Sequence, residues 1–173
     1  TKLTHLGRTA ASSPATVNLP IHRASTVLFN SMAEQREIQK AFDADEQVPT
    51  YGVFNMPGSL ALENAVAEIE GGYRAVAYSS GLAAVACAVL ACVKSGDHVL
   101  MPDSCYFPAR RLADRHLARF GVDTTFYDPC IGTGIEALMQ PNTTVVYTES
   151  PGSHTFEIQD IPAIAKIAHA RGA

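Results

Sequence analysis

YSSGLAAVACAVLACVKSGDHVLMPDSCY, residues 78–106, joins a helical segment without a polar face to a short apolar run and then a loop that ends in Tyr106. Every residue from Gly81 to Val93 is small or apolar, which predicts a helix buried on every side. Ser79, Ser80 and Gly81 stand at its mouth, and HVLMP, residues 98–102, reads as the strand that follows.

Three more β-rich runs lie around this unit: RAVAYS at 74–79, DTTFYD at 123–128 and TVVYTE at 144–149. Helical segments are predicted between and after them, at 81–94, about 108–119, about 133–139 and 160–171. That alternation predicts an α/β fold, a parallel sheet covered by helices. TVVY has no polar alternation, which fits a strand buried on both faces. Before it, SLALENAVAEIEGG (59–72) places Leu62, Ala65, Val66 and Ile69 on one helical face, with Ser59 as the expected cap and Gly71-Gly72 as the stop. The last helix has Asp160 as its expected cap and Pro162 in its first turn. In a βα series a strand should come next, so the chain is expected to be part of a longer fold.

Residues 1–57 show no such rhythm. VNLPIHRASTVLF has a β-leaning end and MAEQREIQKAF reads as one helix, but DADEQVPTYGVFNMPG is rich in turn formers. The expected division is an arm over 1–57 and a layered α/β domain from 58 to 173.

Bulk composition excludes several classes. The net charge is −4 with 47% hydrophobic and 17% charged residues, so neither nucleic acid nor an anionic membrane is an expected partner. Arg110, Arg111, Arg115 and Arg119 recur at helical spacing, as a solvated helix face would. Four cysteines form no C-x-x-C pair, Cys87 and Cys92 falling inside the apolar helix as small hydrophobes, and six histidines make no zinc pattern. No signal peptide opens the chain and no uninterrupted 18-residue apolar run occurs, so a reducing cytoplasm is the expected setting.

In an open parallel sheet, ligands bind beyond the carboxyl ends of the strands, at helix N-termini. Those ends are Ser79-Ser80-Gly81, Pro102–Tyr106, Tyr127-Asp128 and Glu149–Ser153. Backbone N–H groups at a helix start, with glycine allowing close approach, suit a phosphate, and Tyr106 could stack on a flat ring held there. The competing readings are a glycine that only turns the chain into its helix and a loop tyrosine that only packs. GTGIEA, 132–137, matches a dinucleotide fingerprint but does not directly follow its strand. Asp103, Asp128 and Glu149 form no recognisable acid/base pair, and no G-x-S-x-G elbow surrounds the serines.

YSSGLAAVACAVLACVKSGDHVLMPDSCYFPARRL, FYDPCIG, LMQPNTTVVYTESPGS and EIQDIPAIAKIA together resemble the Cys/Met-metabolism family of pyridoxal-phosphate enzymes. VNLPIHRASTVLF and the E-S-P-G-S form resemble its cystathionine β-lyases in particular. The resemblance implies an aspartate-aminotransferase-like, type I large domain, of which this chain would be the arm and the first half. It implies pyridoxal 5'-phosphate (PLP) as cofactor and α,β-elimination of cystathionine to homocysteine, pyruvate and ammonia. Gly81 and Leu82 match the positions whose amides hold the cofactor phosphate, with Ser80 beside them. Tyr106 matches the tyrosine that stacks on the cofactor ring and assists catalysis, and Ser153 stands where many relatives have an asparagine near the ring oxygen. Tyr51 matches the arm tyrosine that reaches a neighbouring subunit's phosphate, which implies a homo-oligomer, a dimer of dimers with shared sites. Methionine γ-lyase, cystathionine γ-lyase and γ-synthase are alternatives within the family. A non-catalytic interaction module and a nucleotide-binding α/β domain are alternatives outside it.

Two departures stand out. The family's Tyr-x-Arg arm motif reads Tyr51-Gly52-Val53 here, without the phosphate-binding arginine. The family's cofactor-anchoring lysine, and the aspartate paired with the pyridine nitrogen, match none of these residues; Lys2, Lys40, Lys94 and Lys166 stand elsewhere.

Overall fold

The computed structural model describes residues 3–7 and 17–173. They fall into two compact units that divide between Ala77 and Tyr78.

In the first unit, helix α1 (Met32–Asp43) begins where Ser31 Oγ accepts the Glu34 N–H at 3.1 Å. The Glu34 carboxylate accepts in turn from the Asn30 N–H, one residue before the cap. Helix α2 (Pro57–Glu70) starts on its proline and stops at Gly71, whose φ of 66° is the left-handed conformation that ends helices. Ser59 is not its cap. Met56 holds that position, and Ser59 lies in the first turn, donating to the Met56 carbonyl. Leu62, Val66 and Ile69 are exposed, not buried on a shared face; the buried side of α2 is marked by Ala67. The β-leaning run at 17–29 forms no strand.

The second unit begins with helix α3 (Gly81–Leu90) and strand β1 (His98–Pro102). Helix α4 (Phe107–Arg111) runs on as a π-helical turn over Leu112–Leu117 and a 3-10 turn over Ala118–Phe120, so the helix expected at 108–119 changes pitch twice. Strand β2 (Asp123–Tyr127), a 3-10 segment (Gly132–Leu138), strand β3 (Thr143–Val146) and helix α5 (Ile161–Ala170) complete it. Asp160 caps α5, accepting the Ala163 N–H at 3.1 Å.

The sheet is parallel in the order β2-β1-β3, with Leu100 opposite Thr125 on one side and Val146 on the other. All five residues of β1 are buried, as a central strand with helices on both faces requires. Val99 and Met101 point into one core layer with Val89, Leu112, Leu117 and Val122; Leu100 points into the other with Tyr127, Ile135 and Ile164. The period of two along β1 therefore sorts its side chains between two layers.

Three expectations need correction. RAVAYS at 74–79 is not a strand, since no strand among the described residues completes a ladder with it; the sheet they form has three strands. Helix α3 is not buried on every side. Only Val89 is buried, while Leu82 and Leu90 are 39% and 48% exposed, because no described element covers the face turned from the sheet. Cys87 is exposed on that face, and Cys92 is exposed just beyond the helix.

Candidate cofactor site

Ser80 caps α3 from an extended backbone (φ −158°, ψ 157°), and its Oγ accepts the Ala83 N–H at 3.2 Å. The first intrahelical bond runs from the Ala84 N–H to the Ser80 carbonyl. The Gly81 and Leu82 N–H groups precede it and have no intrahelical acceptor, so they point out of the helix with the positive end of its dipole. A Cβ placed on Gly81 would meet nothing within 4 Å. Packing within the unit does not demand this glycine; it keeps the approach to two amides open.

Tyr106 is seated by the end of β3. After β1 the chain turns, with the Asp103 N–H donating to the Tyr127 carbonyl and the Cys105 N–H to Pro102. The Tyr106 N–H then lies between both oxygens of Glu149, at 3.1 and 3.0 Å. Tyr147 Oη donates to Glu149 Oε2 at 3.1 Å, and Gln159 Nε2 holds the Glu149 carbonyl at 2.8 Å. Tyr127 Oη lies 2.9 Å from both the Tyr147 carbonyl and Gln159 Oε1. Burial pushes the Tyr127 and Tyr147 hydroxyls well above the usual phenol range, and for Tyr147 the Glu149 charge adds to the effect. Both remain protonated donors at neutral pH. Burial also pushes the Cys105 thiol up to about 11, so it is not a nucleophile here.

A second tie fixes the same loop. The Ser153 N–H donates to the Ser104 carbonyl at 2.8 Å, and Gly152 lies so close that an added Cβ would be 2.7 Å from Ser104 Oγ. Ser104 Oγ and Glu157 Oε2 are buried there without a hydrogen-bond partner among the described residues. Arg110 stacks its guanidinium 3.8 Å from the Phe126 ring centroid and donates twice to Asp103 Oδ1, so it is not a purely solvated side chain.

Ser80 and Leu82 share an open groove of about 1000 Å³ with Phe107, Arg111 and His116. The start of α3 and the start of α4, which Tyr106 caps, therefore border one hollow. The Tyr106 side chain is 46% exposed, and Ser153 is half-buried beside the Tyr106 loop. Tyr51 belongs to the first unit, bridged to Phe54, with its Oη 3.3 Å from Ser25 Oγ. Gly52 donates its N–H to the Ser25 carbonyl, and a Cβ there would collide with the Ala24 carbonyl. Val53 is 72% exposed.

Sequence reading left Glu149 without a role. Its partner is an amide 43 positions away, and no local motif marks such a pair. Among the described residues no group of three or more His, Cys, Asp or Glu could hold a metal ion, and no helix is long and apolar enough to cross a membrane.

The donor set suits a small molecule carrying a phosphate and a flat ring: two unsatisfied amides and a hydroxyl at a helix start, open space over a glycine, and a half-exposed phenol ring on Tyr106, the residue before the Phe107 that borders the hollow. The family model for Cys/Met metabolism PLP-dependent enzymes matches residues 1–173. A putative cystathionine beta-lyase of Saccharomyces cerevisiae is 42% identical over 99% of this chain and 48% of its own length. One from Rhizobium johnstonii is 44% identical over the whole chain and 42% of its own. The crystal structure of metB from Corynebacterium glutamicum superposes with a TM-score of 0.87 at 28% identity, covering 99% of this chain and 42% of that one. The chain thus spans less than half the length of these relatives. With 173 residues matched end to end and the layered α/β arrangement in common, the chain belongs to the Cys/Met-metabolism family of PLP-dependent enzymes, and pyridoxal 5'-phosphate is its cofactor.

Proposed function

We propose that this chain supplies the phosphate grip and ring cover of a PLP-dependent carbon–sulfur lyase that cleaves cystathionine by α,β-elimination, giving homocysteine, pyruvate and ammonia. The observation that carries the reading is the pair of unsatisfied amides at Gly81 and Leu82, at a helix start where Ser80 and Leu82 border the same hollow as Phe107 at the start of α4. The several relatives named as cystathionine beta-lyases support the choice of substrate.

In this reading the Gly81 and Leu82 amides and the Ser80 hydroxyl hold the phosphate, aided by the dipole of the ten-residue helix behind them. The cofactor supplies an electron sink for charge that develops at the substrate's Cα. Tyr106 would cover the ring, with its hydroxyl available to orient the substrate and exchange a proton with it. Ser153 lies toward the ring oxygen. Tyr51 reaches the phosphate of a neighbouring subunit, so each pocket needs two chains and the working unit is a dimer or a pair of dimers. Lys94 is engaged with Asp97 at 3.0 Å and Lys166 lies exposed on α5; neither takes a chemical role here.

Product analysis on the intact protein tests the reaction. Cystathionine should yield pyruvate with homocysteine. Release of 2-oxobutyrate with cysteine, or of 2-oxobutyrate from methionine, would instead make it a γ-lyase and overturn the β-elimination.

A further inference from the structure

We propose that Glu149 is a positioning residue: its carboxylate, at the end of β3, holds the Tyr106 amide and so sets where the Tyr106 ring stands. This rests on the reading that Tyr106 covers the cofactor. Both carboxylate oxygens lie within 3.1 Å of one N–H, a donor at the very residue whose side chain must be placed. The Tyr147 hydroxyl, held protonated by burial, donates to one of those oxygens. Gln159 Nε2 donates to the Glu149 backbone carbonyl and Gln159 Oε1 accepts from Tyr127 Oη, so Glu149 is held at its backbone as well as at its carboxylate.

The geometry sets the direction of the effect. Tyr106 is the cap of α4 and has no side-chain cap bond of its own, so its amide precedes the helix and needs an acceptor from elsewhere. A charged acceptor makes the strongest such bond. The tie between Ser153 and Ser104 anchors the same loop two residues earlier, leaving the last step to Tyr106 to Glu149. Glu149 touches neither cofactor nor substrate in this scheme; it acts through Tyr106.

Two nearly isosteric variants separate hydrogen bonding from packing. Glu149→Gln keeps one acceptor oxygen, and Glu149→Met keeps the bulk with none. Amide hydrogen exchange of the 103–110 region, read on the intact holoenzyme, should show the Tyr106 amide exchanging at least about tenfold faster in Glu149→Met, with Glu149→Gln close to the parent. The bound cofactor's absorption and circular dichroism should shift in the Met variant and be restored in the Gln variant. Equal protection in both variants would overturn the proposal, because packing alone would then seat the loop. Should Glu149→Met fail to fold, Glu149→Ala read against Glu149→Gln decides by the same criterion. Tyr106→Leu separates the two claims: if it leaves the cofactor spectrum unchanged while the exchange pattern holds, the ring-cover reading fails and the clamp stands.

Discussion

Gly152→Ala is the substitution for which the structure gives the most definite cost. A Cβ at this position would lie 2.7 Å from Ser104 Oγ, 2.9 Å from Ser104 Cβ and 2.9 Å from Glu157 Oε2. The hydroxyl can rotate away, but Ser104 Cβ moves only with its backbone. That backbone is held by the Ser153 N–H, while the Gly152 N–H is itself bound to the Glu157 carbonyl. The clash therefore cannot relax without weakening a hydrogen bond or shifting the loop. Overpacking of this kind costs about 1–3 kcal/mol, and a net hydrogen bond about 1 kcal/mol more. The expected destabilisation is thus about 2–4 kcal/mol, a large part of the ~5–15 kcal/mol that holds a domain together. Because Ser104 lies two residues before Tyr106, cofactor retention should fall as well. Denaturant unfolding of the intact protein, with cofactor fluorescence followed in parallel, measures both. An unfolding midpoint within error of the parent would refute the close-approach argument, since three contacts under 3.0 Å cannot be absorbed without cost.

Three further outcomes are expected. Val53→Arg adds a cation next to Tyr51 at a position that is 72% exposed, so folding should be nearly unaffected. Cofactor affinity should tighten about ten- to hundredfold if the arginine reaches a phosphate, and an unchanged dissociation constant in a fluorescence titration would remove position 53 from the site. Ser80→Ala removes the hydroxyl that accepts the Ala83 N–H, costing about 1 kcal/mol in thermal or denaturant unfolding, together with a measurable loss of cofactor affinity. His98 bridges Thr143 and Thr125 at 2.8 and 2.9 Å; burial lowers its pKa below the usual value, partly offset by the Asp123 charge. The unfolded chain then binds its proton first. The contribution is fully present above about pH 6.5 and is lost as pH falls through the folded value. The urea midpoint should drop between pH 7.5 and 5, and by less in His98→Gln; equal drops would exclude His98.

How much of this was legible in the sequence depended on whether the deciding contacts were local. HVLMP, DTTFYD and TVVYTE read as strands because they are short runs rich in β-branched and aromatic residues, and a strand is found in each. The caps at Asp160 and Gly71 were legible because capping uses neighbours within three residues, while Ser59, read by the same rule, lies in the first turn of α2. RAVAYS misled because a strand exists only with a partner, and composition carries no record of one. Helix α3 misled in the opposite way: its composition asks for burial all round, while the described residues cover only the side toward the sheet. Tyr106 stands out from the end of a strand that exists, β1, whereas Ser80 and Gly81 stand out from the end of RAVAYS, which is no strand, and lie instead at the start of α3. Glu149 could not be picked out, because its partner is a backbone amide that every residue but proline carries.

The most direct measurement is an experimental structure of the intact protein with pyridoxal 5'-phosphate bound. The phosphate should lie within hydrogen-bond distance of the Gly81 and Leu82 amides, with the Tyr106 ring stacked over the pyridine. A phosphate held away from the start of α3, or a ring that Tyr106 does not face, would contradict the site proposed here.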